Sequence, residues 1–332
     1  MLGRYPNFIV ALCVVLALPL LQVTALVNVT VNQRGGAMFK KIQEAVDSLP
    51  TNTTEAQVIM IAPGKYFEQV TIPDREAPLV IYGLPTPSLS FDSNVVTISY
   101  NRSRLNSQSD YDTATLRIQA SKVRVYNVNV ENTSPPSGHQ ALALAASAGR
   151  QGYYACQFSA FQDTIMTDIG HQVYARCMVS GLVDFIFGEQ GRSLFTKCHI
   201  RVLPGPIGFI TASGRDSAKS QAWIVLDQCK IDGGDTNSTA KIYLGRPWGD
   251  DARVTVQNSY MSSIINPDGW TSWDRSDPTS NTKTAVFAEF NNTGYGALGA
   301  RKFSTHVTSL VTIDTLMGVD YANMSFVDTK FL

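Results

Sequence analysis

The chain is short of charge, and what it has is balanced. Charged residues make up 16% of its 332 positions, with 27 Lys and Arg against 27 Asp and Glu. A formal net charge of zero gives no overall pull toward nucleic acid or an anionic membrane, although a local basic stripe remains compatible with it. Histidines number four and cysteines five, with no Cys-x-x-Cys pair, so the expectation is no metal site. Beyond the first residues no apolar run approaches the roughly 20 residues of a membrane span. The hydrophobic share of 44%, with scattered Gly and Pro, excludes a disordered chain, a collagen and a charged coiled coil. Many scattered Thr, Asn and Val favour a β-rich globular protein.

The first segment reads as a processing signal. Arg4 precedes an apolar run from Phe8 to Leu21, and Val23-Thr24-Ala25 ends on a small residue. The expectation is a secretory signal peptide over 1–25 and a single catalytic domain over 26–332, secreted to the extracellular space. Asn-X-Ser/Thr acceptors at Asn28, Asn52, Asn101, Asn132, Asn237, Asn291 and Asn323 fit a secreted glycoprotein.

Cys13 lies in that segment. The other four, Cys156, Cys177, Cys198 and Cys229, are spaced by 21, 21 and 31 residues. Each opens the same alternation: Cys156-Gln157-Phe158, Cys177-Met178-Val179, Cys198-His199-Ile200, Cys229-Lys230-Ile231. Apolar-polar-apolar at period two is a strand with one buried face. One such strand per coil predicts a stacked solenoid, a parallel β-helix, with the cysteines on one inward ladder. Neighbouring coils about 4.8 Å apart leave both bridged and free thiols open. Phe39, Ile42 and Val46, between Gly35-Gly36 and Pro50, predict a short N-terminal helix capping the open end. Tyr100 to Thr113, Gly205 to Arg215 and Asp232 to Ser238 read as loops, and the residues after Phe303 as a tail along the outside.

The carboxylates follow the same period. Asp163 and Asp184 are 21 residues apart, and each lies seven after a ladder cysteine. Stacking therefore places them one above the other. Gln140 and Gln162, 22 apart, join the patch. Two close carboxyls drive their pKa values apart, so one can hold a proton while the other is ionised. An ionised nucleophile needs a cation, and Arg246 is the candidate, with Trp248 offering a flat face to a sugar ring. The glutamine amides suit a developing oxyanion. Phe185 reads as packing between coils and Phe187 as a groove residue.

These motifs resemble the pectin methylesterases (pectinesterases) from about Val31 to Arg301. The segments that carry the likeness are Gly64-Lys65-Tyr66-Phe67-Glu68, His139 to Leu144, Phe161-Gln162-Asp163-Thr164-Ile165, Gly181 to Gly188 and Leu244-Gly245-Arg246-Pro247-Trp248, supported by Gly269 to Trp273 and Glu289 to Gly294. The resemblance implies a right-handed parallel β-helix and hydrolysis of the methyl esters of polygalacturonate, without cofactor, by a monomer. It makes Asp184 the nucleophile, Asp163 the general acid and then base, and Gln140 and Gln162 the oxyanion donors. Arg246 and Trp248 bind substrate, and Thr115 matches a substrate-contacting Thr. Met166 stands where plant members usually carry an aromatic residue. The alternatives are another pectin-degrading β-helix, a lyase or polygalacturonase, and a carbohydrate-binding solenoid without activity.

Overall fold

A computed structural model describes residues 27–85, 88–233 and 241–332. The expected signal peptide and the acceptor Asn237 lie outside the described residues. The fold is all-β. Among the described residues, parallel strands build three sheets of eleven, seven and eight strands. The chain visits them in rotation: Met178–Gly181 in the eight-stranded sheet, Val183–Gly188 in the seven-stranded, Gln190–Thr196 in the eleven-stranded, then His199–Val202 back in the first. That rotation is the coil of a β-helix.

The 21-residue period has a local cause. The residue before each ladder cysteine (Ala155, Arg176, Lys197 and Gln228) has positive φ, between 48° and 54°. A left-handed residue there turns the chain from one sheet into the next and points the following side chain inward. All four cysteines are free thiols, 0–2% exposed. The Cys177, Cys198 and Cys229 thiols donate to the carbonyls of Tyr153, Tyr174 and Phe195 in the preceding coil. Of the two readings left open, buried free thiols is the one observed. Beside them Tyr153, Tyr174 and Phe195 stack with ring centroids 4.7 and 4.3 Å apart.

A helix does form near the N-terminus, over Ile42–Asp47, and buries Ile42, Ala45 and Val46. The Glu68 carboxylate accepts from its first two amides, Ile42 and Gln43. Phe39 falls outside the helix and bridges Val31 instead. The tail packs as expected: Leu316, Met317, Phe326 and Phe331 cover outward side chains of the eleven-stranded sheet, among them Tyr126, Tyr154 and Leu194.

Three expectations change. Ile207–Ser213 is a strand of the seven-stranded sheet, not part of a loop. It is buried on both faces, so it lacks the alternation that marks a half-exposed strand. Asp232 likewise continues a strand, Lys230–Gly233. Tyr100 to Thr113 carries two short helical turns, Arg104–Asn106 and Asp110–Thr113, each closed by a serine capping box. Among the acceptors, Asn132 is 5% exposed, and its side-chain nitrogen donates to the carbonyls of Arg102, Thr113 and Leu142. That nitrogen ties three segments together and has no room for a glycan.

Candidate active site

The candidate catalytic residues sit along the seven-stranded sheet. One row of its side chains runs through Arg117, Ala145, Met166, Phe187, Ala212 and Arg246, paired in register from strand to strand. Ala145, Phe187 and Ala212 form an apolar floor with Ala114 and Leu142, and Tyr111, Met166 and Trp273 pack on its rim.

Asp163 and Asp184 stand at one edge of this row. Gln162 bridges Val183, the Asp163 amide donates to the Val183 carbonyl at 3.0 Å, and Ile165 pairs with Ile186. The two aspartates therefore occupy equivalent places in consecutive coils, as their spacing predicts. Both have positive φ, 61° and 49°. For a residue other than glycine this is a strained conformation, held by the surrounding coils. Asp184 also lies in a β-bulge: between the pairs Val183–Phe209 and Ile186–Thr211, two residues oppose the single Ile210. A bulge re-aims the side chain it carries, and here it turns Asp184 toward Arg246.

Arg246 grips Asp184 with both arms. Nε donates to Oδ1 at 2.9 Å and Nη2 to Oδ2 at 2.5 Å. The guanidinium is itself held between the rings of Phe209 and Trp273, 4.1 and 4.2 Å from their centroids, and Nη1 donates to the Trp273 carbonyl. Such a stack fixes the fork in the plane the carboxylate requires.

The surroundings of the two acids separate their protonation. Asp163 is 7% exposed, and burial, then the Asp184 charge, then Asp110 push its carboxyl well above the usual range, only partly opposed by Arg246. Burial raises Asp184 too, but the hydrogen bonds and charge of Arg246 oppose it directly. Both carboxyls are raised, Asp163 the further, because Arg246 opposes burial at Asp184 through direct hydrogen bonds and at Asp163 only through its charge, so the proton is held more firmly on Asp163.

The other expected residues divide. Gln162 lies against the Asp163 carboxyl. Gln140 is half-buried, but the pairing of Leu144 with Ile165 aligns Ala141, not Gln140, with Gln162. The 22-residue spacing is thus one residue off the coil register. Trp248 is 36% exposed, with its ring 6.2 Å from that of Phe187. Phe187 itself is 5% exposed and belongs to the floor, while Phe185 is core. Thr115 is corrected: it is fully buried, and its hydroxyl donates to the Glu131 carbonyl, so it cannot touch a ligand in the groove. Among the described residues no group of three or more His, Cys, Asp or Glu side chains is arranged to hold a metal ion.

A pectinesterase family model matches residues 28–329. The chain belongs to the pectinesterase family. The pectinesterase of Aspergillus niger is 41% identical over 320 residues, covering 95% of this chain and 96% of its own. That of Aspergillus aculeatus is 40% identical over 326 residues, covering 97% of each. Among solved structures, the pectin methylesterase from Aspergillus niger in deglycosylated form matches with a TM-score of 0.83 at 35% identity, over 91% of this chain and 97% of that one. Pectin methylesterase from carrot matches with a TM-score of 0.81 at 26% identity, over 90% and 96%.

Three parts of this pectinesterase site escaped the sequence reading. Phe209 and Trp273, which clamp Arg246, lie in segments quoted only for their motifs. Asp110, close enough to raise Asp163 and paired with Arg104 at 3.0 Å, lay in a stretch read as loop. Trp248 has a support of its own: a Cβ on Gly214 would stand 2.4 Å from its ring. Gly214→Ala must therefore move the indole. The expected result is a KM for methylated pectin raised several-fold with kcat changed less, read by initial rates of methanol release.

Proposed function

We propose that this pectinesterase, which removes methyl esters from polygalacturonate to leave pectate and methanol, uses Asp184 as its nucleophile and Asp163 as its general acid and base. The observation that carries this reading is the bidentate Arg246–Asp184 pair beside a buried carboxyl driven toward its protonated form.

An ionised Asp184 oxygen attacks the C6 carbonyl of a methylated galacturonate. The carbonyl oxygen takes up the negative charge, and the amides of Gln140 and Gln162 donate to it. As the intermediate collapses, the C–OCH3 bond breaks and Asp163 gives its proton to the departing methoxide, releasing methanol. The galacturonyl group is now an anhydride of Asp184. Asp163, ionised, takes a proton from water as the water attacks that acyl carbon. Asp184 leaves as carboxylate, Asp163 is again protonated, and the product carries a free carboxyl. Neither metal nor organic cofactor enters a step.

Trp248 and the Phe187 floor lie under the sugar chain. The helix at Ile42–Asp47 closes the N-terminal end of a right-handed coil. Residues 26–332 are the catalytic domain of a monomer, exported by a signal at 1–25. Highly methylated polygalacturonate should lose methanol to this enzyme without shortening and without gaining unsaturated ends. A shortened or unsaturated product from the purified protein would instead point to a hydrolase or lyase of the glycosidic bond.

A further inference from the structure

Outward residues at register-equivalent positions near the start of successive strands of the eleven-stranded sheet form a mostly basic line. Arg150 stacks on Lys122, with its carbonyl accepting from the Val123 amide, and its own amide donates to the His171 carbonyl at 2.7 Å. His171 pairs with Arg192, Arg192 with Trp223, and the strand of Trp223 runs in register with that of Arg253. Six consecutive coils thus present Lys, Arg, His, Arg, Trp and Arg at one position, about 4.8 Å apart.

These cations are not there to balance acids. Among the described residues, none of the five basic members is ion-paired to a carboxylate. They crowd one another instead. Burial, then Arg192 and Arg150, hold His171 below the ordinary histidine range, and burial, then Arg215 and Arg192, lower Arg253. Arg192 turns to the neutral Gln221 amide oxygen, and Arg253 lies over the Trp223 ring, 3.3 Å from its centroid. Three acids toward the adjoining corner, Asp168, Glu189 and Asp216, lie near one another: after burial, it is Asp168 and Asp216 that raise Glu189. Like charges kept together without counterions on a chain of zero net charge weaken the fold by repulsion. An anionic ligand would relieve that repulsion.

We infer that the Lys122–Arg150–His171–Arg192–Arg253 ladder is a docking surface, separate from the catalytic groove, for a linear polyanion: a de-esterified run of polygalacturonate. Such a run carries one carboxylate on every sugar, a line of negative charge complementary to Lys122, Arg150, Arg192 and Arg253, with His171 adding to it when protonated. The inference rests on the pectinesterase reading, because that reaction makes this polymer. The ladder faces the eleven-stranded sheet and the catalytic row the seven-stranded one, so the surface would hold the enzyme on chain it has already demethylated.

The test is affinity electrophoresis of the full chain through gels containing polygalacturonate, at low and at moderate salt. The wild type should be retarded, and salt should release it. Arg150→Gln/Arg192→Gln should weaken retention about tenfold, and Lys122→Gln, at the end of the ladder, should weaken it less. Lys40→Gln/Lys41→Gln removes the same charge at exposed positions off the ladder and should bind as wild type. Methanol release from a short methylated oligogalacturonide should be the same in all four proteins. Equal retention of wild type and Arg150→Gln/Arg192→Gln, or an equal loss in the Lys40/Lys41 variant, would overturn the inference. Absence of methanol release from the wild type would instead count against the pectinesterase reading, whatever the gels show.

Discussion

Asp184→Asn is expected to fold and to release methanol more than about 10⁴-fold more slowly than the wild type. An amide is the same size as a carboxylate but is not a nucleophile at neutral pH, so the acyl-enzyme cannot form. Its oxygen still accepts from Arg246 Nε, which donates to Oδ1 at 2.9 Å. The amide nitrogen, however, meets Nη2 donor to donor where the carboxylate accepted at 2.5 Å. That lost bond, together with the lost charge, should cost about 1–3 kcal/mol of stability. The cost is moderated because burial already opposes ionisation of Asp184 in the wild type. Urea denaturation reads the stability and methanol release the rate. A folded variant with more than a tenth of wild-type activity would remove Asp184 from the nucleophile's role.

What the sequence discloses about this site depends on whether a residue lies on the repeat. The inward cysteines and the two aspartates repeat at the same place in consecutive coils, so their period reports the stacking directly. Arg246 is 62 residues from Asp184, and two coils of unequal length separate them. The need of an ionised nucleophile for a cation and the likeness of Leu244 to Trp248 to a family motif, not the period, brought it to the site. The strand Ile207–Ser213 was hidden because burial on both faces erases alternation. Asp110 was hidden because a serine-capped turn, off the repeat, carries it toward Asp163. Gln140 lies just after His139, which has a φ of 62° at the end of a short helical turn, and this local geometry displaces it one residue from the coil register. The bulge that aims Asp184 has no sequence signal, since it is a mismatch between two strands rather than a property of either. Thr115 shows the opposite error. A short motif match placed it in the groove, yet its hydroxyl is spent on the Glu131 carbonyl inside the coil.

Asp163→Asn separates catalysis from stability, and the two should move in opposite directions. Without a proton to give methoxide or a base to activate water, methanol release should fall about 10²–10⁴-fold. Wild-type activity requires Asp184 ionised and Asp163 protonated at the attack. It should therefore fail on the acid side as Asp184 gains a proton and on the alkaline side as Asp163 loses one. The residual activity of Asp163→Asn should lack the alkaline fall. An ester with a more acidic alcohol, which needs no proton to depart, should lose less in acylation than the methyl ester. The stability argument runs from the same raised pKa. Burial, Asp184 and Asp110 make the folded protein hold a proton that the unfolded chain gives up near pH 3.9. The stability contributed by that bound proton is fully present below the unfolded value and is lost as pH rises through the folded one. The amide cannot ionise. Relative to wild type, Asp163→Asn should thus be unchanged in strong acid and progressively more stable as the pH climbs past 4, measured by urea midpoints across the range. A variant less stable than wild type at neutral pH would mean that the Asp163 carboxyl is not driven toward its protonated form. The acid in this mechanism would then have to be sought in another group.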